Sequence, residues 1–134
     1  MPGIDESLQR AMTITGARGA SLVDFTSGLV VGSAGEWPYG GPEAAAAGAT
    51  EVVRAARENA AFVAPEQPEG PAGSPGDRLE DIVLTAEDRY HLLRFLSIEF
   101  DGRFFLHLWL DRSQSNLAMA RLELRRLADD LVLR

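Results

Sequence analysis

The sequence predicts an α+β sandwich: a largely antiparallel five-stranded sheet with helices packed on it, in the element order αββαβββα. Three observations carry this prediction. Two apolar, strand-length runs follow a short amphipathic segment; a long Ala-rich stretch opened by Pro42 comes next; three more strand-like runs then lead to a leucine-striped C-terminal segment. A chain of 134 residues fits one domain, 1–134, and can bury roughly 68–70% of the surface it exposes when unfolded.

Taken in order, residues 4–15 put Ile4, Leu8, Ala11 and Met12 on one helical face, with Gly16 placed as a stop. GASLVDF (19–25) and GLVVGSA (28–34) read as a hairpin around Thr26-Ser27, and their near-continuous apolarity suggests a sheet covered on both faces. The glycines Gly28, Gly32 and Gly35 also raise a phosphate-binding loop. Their spacing is not G-x-G-x-x-G, the segment reads as strand, and the P-loop lysine is missing, so the hairpin is the reading that stands.

Residues 42–63 are a helix, with Pro42 in its first turn and Glu43 near its positive end. Ala45, Gly48, Ala49, Ala56 and Ala60 let another backbone approach closely. The stretch 65–78, with four prolines, three glycines and no large apolar side chain, is expected to be a flexible loop. Strand signals resume at 80–86, 89–98 and 104–111, joined by turns at Glu87-Asp88 and Asp101-Gly102. In the last helix Leu117, Ala120, Leu124, Leu127 and Leu131 form the apolar stripe, and Ser113 or Ser115 is placed to cap it.

Composition removes several function classes. With no cysteine there is no disulfide, thiolate nucleophile or Cys-bearing zinc site. All 13 basic residues are Arg, which excludes a lysine Schiff base or P-loop ligand. The net charge of −7 and pI near 4.8 argue against nucleic acid and anionic lipid as partners. No run approaches a membrane span and no leader is evident, so a soluble cytoplasmic protein is expected.

No catalytic, cofactor or metal site emerges from the remaining residues. If Asp101-Gly102 is a two-residue turn, His107 lies opposite Leu96, five positions from His91, or roughly 17 Å away. A shared metal is then out of reach. The same register sets Arg94 opposite Trp109 for a cation–π contact. Ser33 lies in G-S-A-G, not G-x-S-x-G, and the pairs Glu80/Asp81, Glu87/Asp88 and Asp129/Asp130 read as solvated surface.

The stretches SLVDFTSGLVVGSAG, the small-residue helix from Pro42, EDIVLTAEDRYHLLR and LHLWLDRSQSNLAMARLELRRL resemble the roadblock / dynein light-chain family, in particular its stand-alone actinobacterial-type members. The likeness spans most of the chain and rests on order and texture; the 65–78 insertion is longer and richer in proline than the family usually has there. The resemblance implies a profilin-like sandwich with strand order 2-1-5-4-3 and the central helix alone on one face. It also implies a homodimer formed by central helices and third strands, with its surface on Ala45, Gly48, Ala49, Val52, Ala56 and Arg57 together with Ile82 and Leu84. The function implied is non-catalytic: a regulator or adaptor engaging a small Ras-like GTPase, with Asp24, Thr26 and Ser27 in the first turn as candidates for partner contact. The competing class is a small-molecule sensor of PAS-like or GAF-like type, with a pocket lined by Tyr90, Phe105 and Trp109.

Overall fold

A computed structural model describes residues 2–59, 61–63, 79–96 and 103–132. The element order is helix α1 (Pro2–Ala11), strands β1 (Ala17–Asp24) and β2 (Leu29–Gly35), helix α2 (Gly41–Glu58), strands β3 (Asp81–Thr85), β4 (Arg89–Phe95) and β5 (Phe104–Asp111), a short 3₁₀ turn (Arg112–Gln114) and helix α3 (Leu117–Val132). The strands form one antiparallel sheet in the order β2-β1-β5-β4-β3. The αββαβββα order and the 2-1-5-4-3 sheet are those expected. The stretch 65–78 lies outside the described residues.

Two cores lie on opposite faces of the sheet. Leu22, Leu92, Leu106, Leu108 and Leu110 point to the side covered by α1 and α3, where they meet Leu8, Leu124, Leu127 and Leu131. Val23, Phe25, Leu93 and Phe105 point the other way and meet Ala46, Ala49 and Val53 of α2. Period-2 alternation with both faces covered explains why β1 and β5 are buried along most of their length. A bulge in β2 shifts the pairing from Leu22↔Gly32 to Val23↔Val30, so Val31 is the extra residue. It turns Val30 toward the α2 core, while Ala34, beyond it, packs against the other.

Two local details differ from expectation. The first helix stops at Ala11, where Thr13 Oγ1 donates back to the Arg10 carbonyl, and Gly16 follows at φ 87°. The last helix is capped by Asn116, whose Oδ1 accepts from the Met119 amide at 3.1 Å, and not by Ser113 or Ser115. Those serines instead bond Asp111, the first to its carboxylate and the second to its carbonyl.

The β4–β5 register also differs, and this matters for function. Phe95 pairs with Phe105, Leu93 with His107 and His91 with Trp109. A two-residue turn at Asp101-Gly102 would instead have set Leu92 against Asp111. The observed pairing sets Leu92 against Leu108, keeping two buried leucines on one face, and an odd shift would exchange the faces. Arg94 consequently faces Leu106, and it is Arg89 that lies over the Trp109 ring, 4.9 Å from its centroid.

Gly35 closes β2 at φ 82°, and a Cβ there would sit 2.3 Å from the Arg18 carbonyl oxygen. Gly35→Ala should therefore lose about 1–2 kcal/mol to left-handed backbone strain and about 1–3 kcal/mol to forced repacking. An unchanged urea midpoint would reject that account.

Candidate interaction surface

Along α2, Ala46, Ala49, Thr50 and Val53 are buried against the sheet. At about 100° per residue, Ala45, Gly48, Val52 and Ala56 fall on one flank, well round the helix from Arg54. Arg54 reaches toward the β1–β2 turn, so this flank faces away from it. Val52 packs on the same core as Ile82 of β3, which links the flank to the outer strand. Leu84, two residues on from Ile82 and therefore on the same face, is 40% exposed. The eight residues expected at a dimer surface thus divide. Ala49 is buried in the protomer's own core and Arg57 stacks over Phe25 at 4.4 Å, whereas Gly48 is exposed with nothing within 4 Å of where a Cβ would stand.

The sheet's two margins are unlike each other. β2 carries the bulge, a device that disrupts pairing along an edge, while β3 runs in unbroken register from Asp81↔Arg94 to Thr85↔Tyr90 and contains neither proline nor lysine. Among the described residues no strand pairs with the outer side of β3. Asp81 at its start is held by a bidentate pair with Arg121 of α3, 2.9 and 3.0 Å.

In the first turn, Asp24 Oδ1 accepts from the Thr26 amide at 2.9 Å and its hydroxyl at 2.6 Å, and Arg103 approaches the other oxygen at 3.5 Å. Burial acts to raise this carboxyl, but the Thr26 hydrogen bonds and the Arg103 charge hold it below its ordinary value. Ser27 Oγ accepts from the Leu29 amide. The polar groups of Asp24, Thr26 and Ser27 are therefore engaged in shaping the turn. Arg54 adds a tie that sequence reasoning missed: its guanidinium donates to the carbonyls of Phe25, at 3.0 Å, and Thr26. Arg54→Ala should cost roughly 1–2 kcal/mol and speed amide exchange at Gly28, whose N–H donates to Asp24. Exchange and stability both unchanged would mean that the turn holds itself.

The histidines are neighbours, contrary to the reach argument from sequence. The true register puts them on the same face of adjacent strands, with His91 Nδ1 2.9 Å from His107 Nε2. His107 is 4% exposed; burial, then the neighbouring His91, pushes it down to about 3. His91 is half-buried and also lowered, by desolvation first and then by Arg89, with Asp88 opposing. Trp37 covers His107 edge-on at 5.0 Å and donates to the Ala34 carbonyl, and Trp109 donates to the Glu36 carbonyl. His107 Nδ1 and the hydroxyl of Ser21, directly opposite it on β1, make no hydrogen bond. Among the described residues no group of three or more His, Cys, Asp or Glu side chains is placed to hold a metal ion.

The lining set expected for a sensor pocket does not assemble. Phe105 belongs to the α2 side, and Trp109 follows it by alternation, whereas Tyr90 packs into the core on the opposite face. Among the described residues no helix is long and apolar enough to cross a membrane.

This architecture has close counterparts among solved structures. Myxococcus xanthus MglB superposes with a TM-score of 0.75 at 18% identity, over 98% of this chain and 86% of that one. A structure described as MglB with tetrameric arrangement gives 0.72 at 21% identity, over 96% and 85%. A Roadblock/LC7 domain from Streptomyces avermitilis gives 0.68 at 16% identity, over 96% and 91%.

The chain has the roadblock/LC7 fold.

No protein-family model matches the sequence, and no curated protein matches it. Among the described residues α2 is the one helix on its sheet face and β3 is an outer strand of the sheet, as the resemblance implied.

Proposed function

We propose that this chain is a single-domain, non-catalytic regulatory or adaptor protein that forms a homodimer and engages a small Ras-like GTPase. The observation that carries the reading is the unbroken β3 margin together with a small-residue flank of α2 whose Val52 packs on the same core as Ile82 of β3. One edge supplies backbone hydrogen-bonding groups and the flank lets a second helix approach, so a two-fold copy satisfies both at once. The dimer surface in this reading comprises Ala45, Gly48, Val52 and Ala56 with Ile82 and Leu84; Ala49 supports it from beneath and Arg57 lies at its end. Likeness to MglB structures, one of them tetrameric by description, supports assembly from copies of this fold.

The GTPase partnership rests on the family resemblance. A pull-down from source-cell lysate with the tagged protein, run with a GTP analogue and with GDP, tests it. Enrichment of a small GTPase under one nucleotide is the expected result. Recovery of the protein alone would remove the GTPase from the reading and leave the homodimer to be judged separately.

A further inference from the structure

Tyr39 is the most exposed large apolar side chain among the described residues, at 94%, and it stands on a backbone that suits it badly. Its φ is 47°, and Gly40 and Gly41 follow at 93° and 79°. A bulky L-residue is strained in that region, which glycine or asparagine enters far more readily. The loop is nevertheless firmly held, because Trp109 donates to the Glu36 carbonyl and Trp37 to the Ala34 carbonyl. A strained aromatic with almost no packing in its own protomer points to a contact outside it. We propose that Tyr39 is an end contact of the homodimer, meeting Phe62 of the second copy at each end of an antiparallel α2 pair. The proposal rests on the homodimer reading above.

The second copy is singled out by the spacing along the chain. In a two-fold pair, a contact of one residue with another is repeated with the roles exchanged. The small-residue flank of α2 begins at Ala45 and ends at Ala56, so a copy laid antiparallel over it sets Ala45 against the other copy's Ala56. Tyr39 precedes Ala45 by the same number of residues as Phe62 follows Ala56, so the two come to the same end of the pair. Phe62 is itself 64% exposed. It lies in a turn whose Phe62 and Val63 amides donate back to the Asn59 carbonyl, at 3.0 and 3.2 Å, which keeps it close to the end of α2. Tyr39 also lies within electrostatic reach of Arg89 on β4, the strand next to β3, so it stands toward the half of the sheet where Val52 meets Ile82. The 18 residues of α2 span about 27 Å, and aromatic contacts at both ends would fix the register of the helix pair as well as its affinity.

Sedimentation velocity of the parent, Tyr39→Asn and Phe62→Ser tests the contact, with near-UV circular dichroism to follow the fold. Each variant removes both end contacts from its own homodimer, so each dimer Kd should rise at least about tenfold. At a dilution where the parent is monomeric, the urea midpoint of Tyr39→Asn should hold or rise, because asparagine accepts the left-handed backbone. An equimolar mixture of the two variants is the decisive arm. A mixed dimer regains one Tyr39–Phe62 contact, so native mass spectrometry should show it binding at least about threefold more tightly than either variant's own dimer, beyond the statistical advantage.

A parental Kd in either variant, or mixed dimers no more abundant than chance allows, overturns the contact and leaves the homodimer standing. Loss of GTPase capture by a Tyr39→Asn variant of parental Kd would likewise overturn it and assign Tyr39 to that partner's surface. A parent that stays monomeric at high concentration overturns the homodimer and the contact together. Should Tyr39→Asn fail to fold, Tyr39→Gly, which fits the same backbone, replaces it in every arm.

Discussion

Gly48→Arg is expected to leave the protomer folded and to convert a dimer into a monomer. The glycine lies in the interior of α2, exposed, with nothing within 4 Å of its notional Cβ, so an arginine meets no obstacle inside its own chain. Helix propensity favours the change, since glycine costs about 1 kcal/mol relative to good helix formers, and the unfolding midpoint should hold or rise. The effect on association should be large and opposite, because a second helix laid against this flank would meet a long cation in a position open only to hydrogen. Ala47→Arg provides the control: it is exposed on the same helix but about 100° away, and its solution mass should match the parent. Light scattering coupled to size exclusion measures both. A folded Gly48→Arg variant of parental mass would remove this flank from the interface, as would equal disruption by the two variants.

The asymmetry between the two sheet margins shows which parts of this molecule could be read from its sequence. Element order was legible because each segment carries a local signature: alternation or continuous apolarity for strands, the Ala-rich run behind Pro42, the leucine stripe of α3. β5 was legible to the residue, 104–111. The β4–β5 register was not, because the Asp101-Gly102 pair is a strong local signal for a tight turn, whereas the actual pairing is decided by which leucines two separate cores can bury. That single misplacement also hid the histidine pair and moved the arginine–tryptophan contact from Arg94 to Arg89.

Other features depend on contacts between residues remote in the chain. Arg54 and the first turn are 28 and 29 residues apart, and nothing in the local sequence announces that a helical arginine will hold hairpin carbonyls. The Asn116 cap was within reach: asparagine immediately before the leucine stripe ranks with serine as a helix N-cap. The two-core arrangement explains why Tyr90 and Phe105 cannot line one pocket, a point that only face assignment reveals.

The buried histidine also sets the acid limit of the fold. His107 titrates near 6.5 when unfolded but is pushed down to about 3 in the native protein, chiefly by burial and then by His91. The unfolded chain therefore binds the extra proton first. Above the unfolded value both states are neutral there and stability is fully present; as pH falls through the window between the two values, stability should drop by about 1.4 kcal/mol per pH unit from this residue alone. His91, lowered in the same direction, adds to the loss. The aspartates Asp24, Asp88 and Asp111 are lowered from 3.8, so their contributions are present above that value and fade only in stronger acid. Between about pH 6.5 and about pH 5 the histidines thus dominate the slope. Urea unfolding across that interval should show the decline, and His107→Phe, which has no proton to take up, should flatten it even if the variant starts from a lower stability. A parent whose stability stays level across the interval would mean that His107 reaches solvent or a compensating partner in the native state, and the enclosed, neutral imidazole beneath Trp37 would no longer describe this face of the sheet.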